Sequence, residues 1–454
     1  MGDVMVQRSG TTLVIAALLV LGLVQAAVAQ TVASSDTILI VKADEQPSNA
    51  DIAVRVSAAT FDTAATVLIG RDDVFADSMA SGLLQGAEGA PLLLTPPSGP
   101  LSADAVDQIT QLGATNAIVL GGEAAVAPSV ADDLAAMGLA VLRFQGPTRL
   151  ETATDIAGQY AADADTAILT RAFADEAAAD PSQAWADALA VGGWSAETGW
   201  PILLTETDRL STSTAAFLES SDIGNVELVG GTAAISAEVE QQLVDMGMAV
   251  TRTAGADRFE TAIEVAAKRG ASSAAEAASL VIAEGSSDPD AWVTAFTTAA
   301  ASGAERAPIV LVNGDQIPAA TEAWLTGEPS FAQADLEPGV RLLCVFYVAS
   351  LCPQVRALLD LPAAMVAAEP AAGAELTPGQ TIEITVTPVR GEVTDVTAEG
   401  CGADAVLSPD GGTVTVGEAS GPDCDLVITV SFAAPTEAPV PNQRFTFGYL
   451  VASG

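Results

Sequence analysis

Two arginines stand just ahead of helical stretches, each with a glutamate two positions on: Arg149 with Glu151, and Arg258 with Glu260. A guanidinium can grip a phosphate through two parallel N–H bonds. It can equally clamp a carboxylate between neighbouring structural units. Each arginine opens its unit, which favours the clamp. Two glycine pairs, Gly121-Gly122 and Gly230-Gly231, end apolar runs and precede helices that begin near Ser129 and Ser236. Such pairs can turn backbone N–H groups toward an anion at a helix N-terminus. The commoner use is a tight strand–helix turn that needs positive φ. Asp77 and Asp187 lie in alanine-rich stretches, where a carboxylate needs a partner. They could hold a sugar hydroxyl or cap a neighbouring element, and structural use is the stronger expectation.

Other chemistry is excluded by composition. The chain has no histidine, which removes Ser-His-Asp and Cys-His catalysis and His-ligated zinc. Fifty-eight Asp and Glu against 17 Lys and Arg give a net charge of −41. A nucleic-acid binder working by phosphate neutralisation does not have that balance, and an anionic lipid surface would repel it. The 454 residues, half of them hydrophobic, suffice for about three or four domains.

Those residues sit in a repeat. Gly146–Ala153 matches Gly255–Ala262 at a spacing of 258 − 149 = 109, and Phe75–Ala80 matches Trp185–Ala190 at 187 − 77 = 110. The run Leu92-Leu93-Leu94 recurs as Ile202-Leu203-Leu204 and again as Ile309-Val310-Leu311, each after a proline. A period this long is a whole domain. In the second unit Thr166–Thr170, Pro201–Thr205, Val226–Val229 and Ala249–Arg252 read as buried strands. Glu151–Ala161, Trp185–Ser195, Ser213–Ser220 and Ala237–Met246 carry helical spacing. Such alternation predicts an α/β fold of mainly parallel sheets covered on both faces. The expected modules are residues 37–142, 143–251 and 252–361.

At these blocks the sequence resembles the cell wall binding repeat 2 family of bacterial surface proteins. The shared pattern is an Arg-aromatic-Glu-Thr-Ala start, an aromatic-Ala-Asp-Ala-Leu helix, a Pro-Ile-Leu-Leu strand and a Gly-Gly turn. The resemblance covers about 320 residues. It implies three modules around a pseudo-threefold axis, attached non-covalently to a cell-wall polysaccharide or a teichoic-type anionic polymer. It also implies that the Ile-Leu-Leu positions, here Leu92–Leu94, Ile202–Leu204 and Ile309–Leu311, are needed for attachment, although composition reads them as core strands. The first unit carries a worn start at Arg55–Phe61. In the third, Trp292-Val293-Thr294-Ala295 replaces the Asp motif. The third Gly-Gly turn is replaced by Val345–Ser350, bracketed by Cys344 and Cys352.

Residues 1–29 read as a signal peptide: Arg8, an apolar run from Leu13 to Val24, and a small-residue cleavage site at Ala27-Val28-Ala29. Residues 30–36 would be a linker, and no transmembrane anchor is expected after cleavage. Export favours disulfides. Of three possible pairings, Cys344–Cys352 with Cys401–Cys424 respects the domain boundary. After a linker at 362–373, residues 374–454 alternate as strands and predict a small β-sandwich. The expected function is a secreted, non-catalytic wall-attachment protein without cofactors. Divalent cations, or a few local arginines, would reconcile an acidic protein with an acidic polymer. The rivals are a wall hydrolase-associated protein and a calcium-dependent adhesin or surface-layer component.

Overall fold

The structure is a computed structural model. It describes residues 39–41, 47–175, 180–277, 279–327, 342–345, 351–358, 364–369, 375–388, 393–401, 403–416, 423–432 and 443–451. The expected signal peptide and the 30–36 linker lie outside the described residues.

The first unit runs β1 (Leu39–Val41), α1 (Asn49–Thr60), β2 (Thr66–Arg71), α2 (Gly82–Glu88), β3 (Leu92–Thr95), α3 (Ala103–Leu112), β4 (Asn116–Leu120), α4 (Pro128–Ala136) and β5 (Ala140–Phe144). The second repeats it: α5 (Arg149–Tyr160), β6 (Thr166–Arg171), α6 (Val191–Thr198), β7 (Ile202–Thr205), α7 (Thr212–Ser220), β8 (Asn225–Val229), α8 (Ala237–Asp245) and β9 (Ala249–Thr253). The third has α9 (Arg258–Lys268), β10 (Leu280–Glu284), α10 (Trp292–Phe296), α11 (Ala299–Ala304), β11 (Ile309–Val312), α12 (Ala319–Leu325), β12 (Leu342–Val345) and α13 (Leu351–Leu358). The second-unit strands fall where hydrophobic runs placed them, within a residue at either end. The helix expected over Trp185–Ser195 begins instead as a 3₁₀ turn at Ala188–Ala190 and becomes α-helical at Val191.

Two sheets have the order β3-β2-β4-β5 and β7-β6-β8-β9, all parallel. Their central strands are buried runs such as Val67-Leu68-Ile69 and Ala167-Ile168-Leu169, as helices on both faces require. The third sheet has the order β1-β12-β10-β11. Its fourth strand comes from the opposite end of the chain, Leu39 pairing with Leu343 and Val41 with Val345. The module limits shift accordingly. Expected boundaries at 142/143 and 251/252 cut through β5 and β9, and β1 belongs to the third sheet.

The modules meet through α2, α6 and α11, and glycine lets the three backbones approach. A Cβ on Gly82 would lie 2.5 Å from the Gly192 carbonyl oxygen, and one on Gly303 would lie 2.5 Å from the Ala196 Cβ. Beside them the Arg269 side chain, 1% exposed, bonds Glu197 Oε2 at 3.0 Å, Ser302 Oγ at 3.0 Å and the Ser302 and Ala307 carbonyls at 2.9 Å. Gln85 crosses the same junction, donating to the Phe296 carbonyl at 2.8 Å and accepting from Ala300 N–H at 3.2 Å.

The C-terminal region is two antiparallel-dominated sheets. Its strands are β13 (Ala364–Glu369), β14 (Glu375–Leu376), β15 (Thr381–Pro388), β16 (Val393–Gly400), β17 (Ala403–Leu407), β18 (Gly411–Thr415), β19 (Asp423–Phe432) and β20 (Gln443–Val451). Sheets β13-β15-β18 and β14-β20-β19-β16-β17 share a core in which Ile382, Ile384 and Val386 meet Val396, Leu426, Ile428 and Val430. That is the sandwich the alternation predicted. The stretch expected as a 362–373 linker contains β13, antiparallel to β15. Cys344 is buried in β12, and the expected Cys344–Cys352 bridge rests on a side chain outside the described residues. Cys401 is disulfide-bonded. The side chains of Cys352 and Cys424 lie outside the described residues.

Candidate functional site

Each module begins with a helix whose first turn is built the same way. Ser48 caps α1 with Asp51 in a capping box, and Thr148 caps α5 with Glu151. Asp257 caps α9 through the N–H groups of Phe259 and Glu260, while Glu260 accepts from Ala256 N–H at 2.8 Å. Glu151 and Glu260 therefore satisfy orphan donors of their own helix ends. The residue after the cap, the first of the helix, reaches across to the preceding module.

Arg149 donates to the Ala172 carbonyl at 2.8 Å. Its guanidinium lies 4.6 Å from the Phe75 ring centre and 5.0 Å from that of Phe173. Burial lowers its pKa, opposed by the charge of Asp77 in the preceding module. Arg258 bonds Ser182 Oγ at 2.8 Å and Asp180 Oδ2 at 3.2 Å in the preceding module and the Gly285 carbonyl at 3.2 Å in its own, 5.6 Å from the Trp185 ring centre. In the first module the same position is Asn49. It donates to the Asp72 carbonyl at 2.7 Å and to Asp290 Oδ1 of the third module at 2.8 Å. The worn start is thus Ser48–Ala53, and not Arg55–Phe61. Hydrogen bonds for Asn49 and Arg258, and stacking on Phe75 for Arg149, spend all three residues on module contacts.

Asp77 and Asp187 explain the glycine turns. Gly121 and Gly230 have φ of 96° and 121°. A Cβ on Gly230 would stand 2.7 Å from Asp187 Oδ2, and one on Gly121 would overlap Asp77 Oδ2. The turns need glycine for conformation and for room. Their N–H groups are taken: Gly121 donates to the Phe144 carbonyl at 2.8 Å and Gly230 to that of Thr253 at 2.9 Å. Arg143 and Arg252 hold the two glycine carbonyls, each at 2.7 Å. The Gly122 and Gly231 carbonyls accept from Val126 and Ile235 at 3.0 Å. The glycines make turns, and the N–H groups of Gly121 and Gly230 do not open toward an anion. Burial pushes the Asp187 carboxyl upward, opposed by a hydrogen bond from Thr261 of the next module and by Arg171 and Arg258.

The third module departs from this plan. Glu284 ends β10 where Arg71 and Arg171 end β2 and β6, and Thr294 stands in the aspartate's place. Glu284 is fully buried. Its Oε1 accepts from Ser286 and Gly314 N–H at 2.8 and 2.9 Å, while Oε2 has no hydrogen-bond partner. Burial pushes its pKa up, opposed by those N–H groups.

All of these residues gather at the carboxyl ends of the parallel strands, where strand order reverses between β2 and β4 and between β6 and β8. Open α/β sheets take ligands at such crevices. Here the first turn of the next module's helix occupies them. The Leu92–Leu94, Ile202–Leu204 and Ile309–Leu311 side chains are at most 2% exposed. In this fold they are core strands, as composition reads them. Open ground remains at the carboxyl ends of β6 and β7. A groove of about 450 Å³ there is lined by Phe173, Asp175, Glu206, Thr207, Asp208 and Arg209. The sequence reading passed over these residues. Their signal was an aromatic two positions beyond a buried strand in an otherwise small, acidic loop. Among the described residues no three His, Cys, Asp or Glu side chains converge to hold a metal ion.

The sequence profile of the cell wall binding domain 2 family, CWB2, matches residues 47–131, 143–240 and 252–337. The chain belongs to the CWB2 family. Each match begins within ten residues before the first helix of a module, so the CWB2 unit is helix-first. Similar curated proteins include N-acetylmuramoyl-L-alanine amidase LytC of Bacillus subtilis, 28% identical over 265 residues, which are 58% of this chain and 49% of that protein. The amidase enhancer of the same organism is 25% identical over 268 residues, 59% of this chain and 34% of that protein. The chain therefore spans half or less of these relatives. Cwp8 and Cwp6 from Clostridium difficile share the fold of this CWB2 chain, with TM-scores of 0.59 and 0.57 at 24% and 20% identity. They cover 72% and 73% of this chain, and 52% and 51% of their own. Among the described residues no helix is long and apolar enough to cross a membrane.

Proposed function

We propose that this chain is an exported wall-attachment protein that holds a cell-wall polymer non-covalently through its three CWB2 modules and displays the C-terminal sandwich. The observation that carries the reading is the set of three CWB2 matches on one closed ring of modules. Non-catalytic attachment is supported by the absence of histidine, since a zinc amidase draws on His ligands. The repeat-bearing part also accounts for most of the chain. Arg149 and Arg258 are committed to module contacts, and Arg209 and Arg252 face Glu206 and Glu240. Among the described residues a polyanion would therefore find few uncommitted cations, and divalent ions bridging acidic protein to acidic polymer fit this surface better. Sedimentation of the full chain with purified walls, with and without EDTA, tests the proposal. Retention that EDTA weakens is the expected result; no retention at any ionic strength overturns it.

A further inference from the structure

We propose that the module-2 groove is a saccharide subsite that takes an uncharged, hydroxyl-rich sugar unit of a polymer, with Phe173 as its stacking platform. The proposal rests on the wall-attachment reading and names the chemistry one module would recognise.

The Phe173 ring is 37% exposed, one of few large apolar side chains so exposed among the described residues. It is held in place, because the Arg149 guanidinium lies 5.0 Å from its centre and is itself fixed against Phe75 and the Ala172 carbonyl. An exposed aromatic backed by a cation is a rigid apolar surface that costs little ordering when something packs on it. The C–H face of a pyranose is such a partner.

The opposite lip is equally rigid. Thr205 Oγ1 donates to the Arg209 carbonyl at 3.0 Å, Ser236 N–H to the Thr207 carbonyl at 2.8 Å, and Leu210 N–H to Gln242 Oε1 at 3.1 Å. The lining offers three carboxylates, Asp175, Glu206 and Asp208, against the single guanidinium of Arg209. Asp175 faces Arg171 at 3.9 Å, and Arg209 Nε holds Glu206 Oε2 at 2.7 Å. Carboxylates accept paired hydroxyl donors well and repel phosphates and uronates. The charge of the groove therefore selects a neutral ring over the anionic links of a polymer.

The other modules lack these parts. The position of Phe173, two past the strand end, is Asp73 after β2 and Ser286 after β10. Asp73 is bound to Arg71 at 2.6 Å. The loop equivalent to Glu206–Arg209 is Pro96–Gly99 in the first module. The subsite belongs to one module, which makes the three copies unequal.

Calorimetric titration of the full chain with chitohexaose, maltohexaose and a glycerol-phosphate oligomer tests this, using wild type, Phe173→Ala and Phe173→Trp. The expected result is binding of at least one neutral oligosaccharide, weakened about tenfold or more in F173A and retained in F173W, with no displacement by the glycerol-phosphate oligomer. A wild-type unfolding midpoint in F173A shows that the loss is local. No neutral binding, binding indifferent to F173A, or displacement by the charged oligomer overturns the proposal. Wall sedimentation separates the two readings. A wild-type chain that pellets with walls yet binds no neutral oligosaccharide overturns the groove alone. A chain that binds the oligosaccharide and fails to pellet overturns the wall-attachment reading alone.

Discussion

The side-chain amide of Asn49 donates to Asp290 Oδ1 at 2.8 Å, joining residues 241 positions apart. It is the contact that Arg258 makes with Asp180 at the second–third seam, rewritten with a neutral donor. The same amide reaches the Asp72 carbonyl, and the Asp72 carboxyl is itself raised by burial, then by the charges of Asp73 and Asp290. The first–third seam is therefore acidic where the others carry a cation.

Replacing Asn49 with alanine removes two hydrogen bonds and should cost about 1–2 kcal/mol. Asn49→Asp should cost more, because it sets another carboxylate beside Asp290. The excess over N49A should shrink as the carboxylates protonate. Urea unfolding of both variants near neutral pH and near pH 4 measures this.

Gly121→Ala should destabilise by roughly 3 kcal/mol, combining a left-handed backbone with overlap on Asp77 Oδ2. Shortening Asp77 to alanine in the same chain should return part of that loss. A double-mutant cycle that shows no coupling would separate the glycine from the aspartate.

Glu284 supplies a pH test. Burial raises its native pKa above the ordinary 4.5, so the folded chain keeps this proton to higher pH than the unfolded chain does. Its contribution is complete below the ordinary value and is lost as pH rises through the raised one. Glu284→Gln does not titrate. Wild type should therefore lose stability relative to E284Q between about pH 4.5 and neutrality. Urea midpoints for the two chains across that interval should diverge; a constant difference refutes the assignment.

Arg269 is a buried cation whose removal strands Glu197 at the three-helix junction. Arg269→Met should cost about 3–5 kcal/mol, and Arg269→Lys should cost less. Arg306, 3.6 Å from Glu197, limits the loss. Differential scanning calorimetry of the two variants orders them.

Much of this was legible in the residues. Hydrophobic runs placed the second-unit strands, and the repeated blocks showed that one unit had been copied. The seam was harder. A search for Arg-aromatic-Glu lands on Arg55, because Asn49 shares no charge with Arg149. The cue was spacing: Asn49 to Asp72 and Arg149 to Ala172 are both 23 positions, first-turn donor to strand-end carbonyl. At the Gly-Gly turns what excludes a Cβ is Asp77 or Asp187 about 44 positions away in sequence, which no local pattern reports. β13 was hidden in an alanine- and proline-rich stretch that reads as linker, since β-propensity is weak evidence beside sheet context. Phe173 was passed over because a lone aromatic gains meaning only beside the loop from β7.

The Leu39–Leu343 pairing has a consequence for how the molecule is made. β1 leaves the ribosome some three hundred residues before the strand it pairs with. Until then β10 presents a bare edge where β12 will lie, open to any extended peptide that can take that place. A chain halted before β12 would leave β1 without its neighbour.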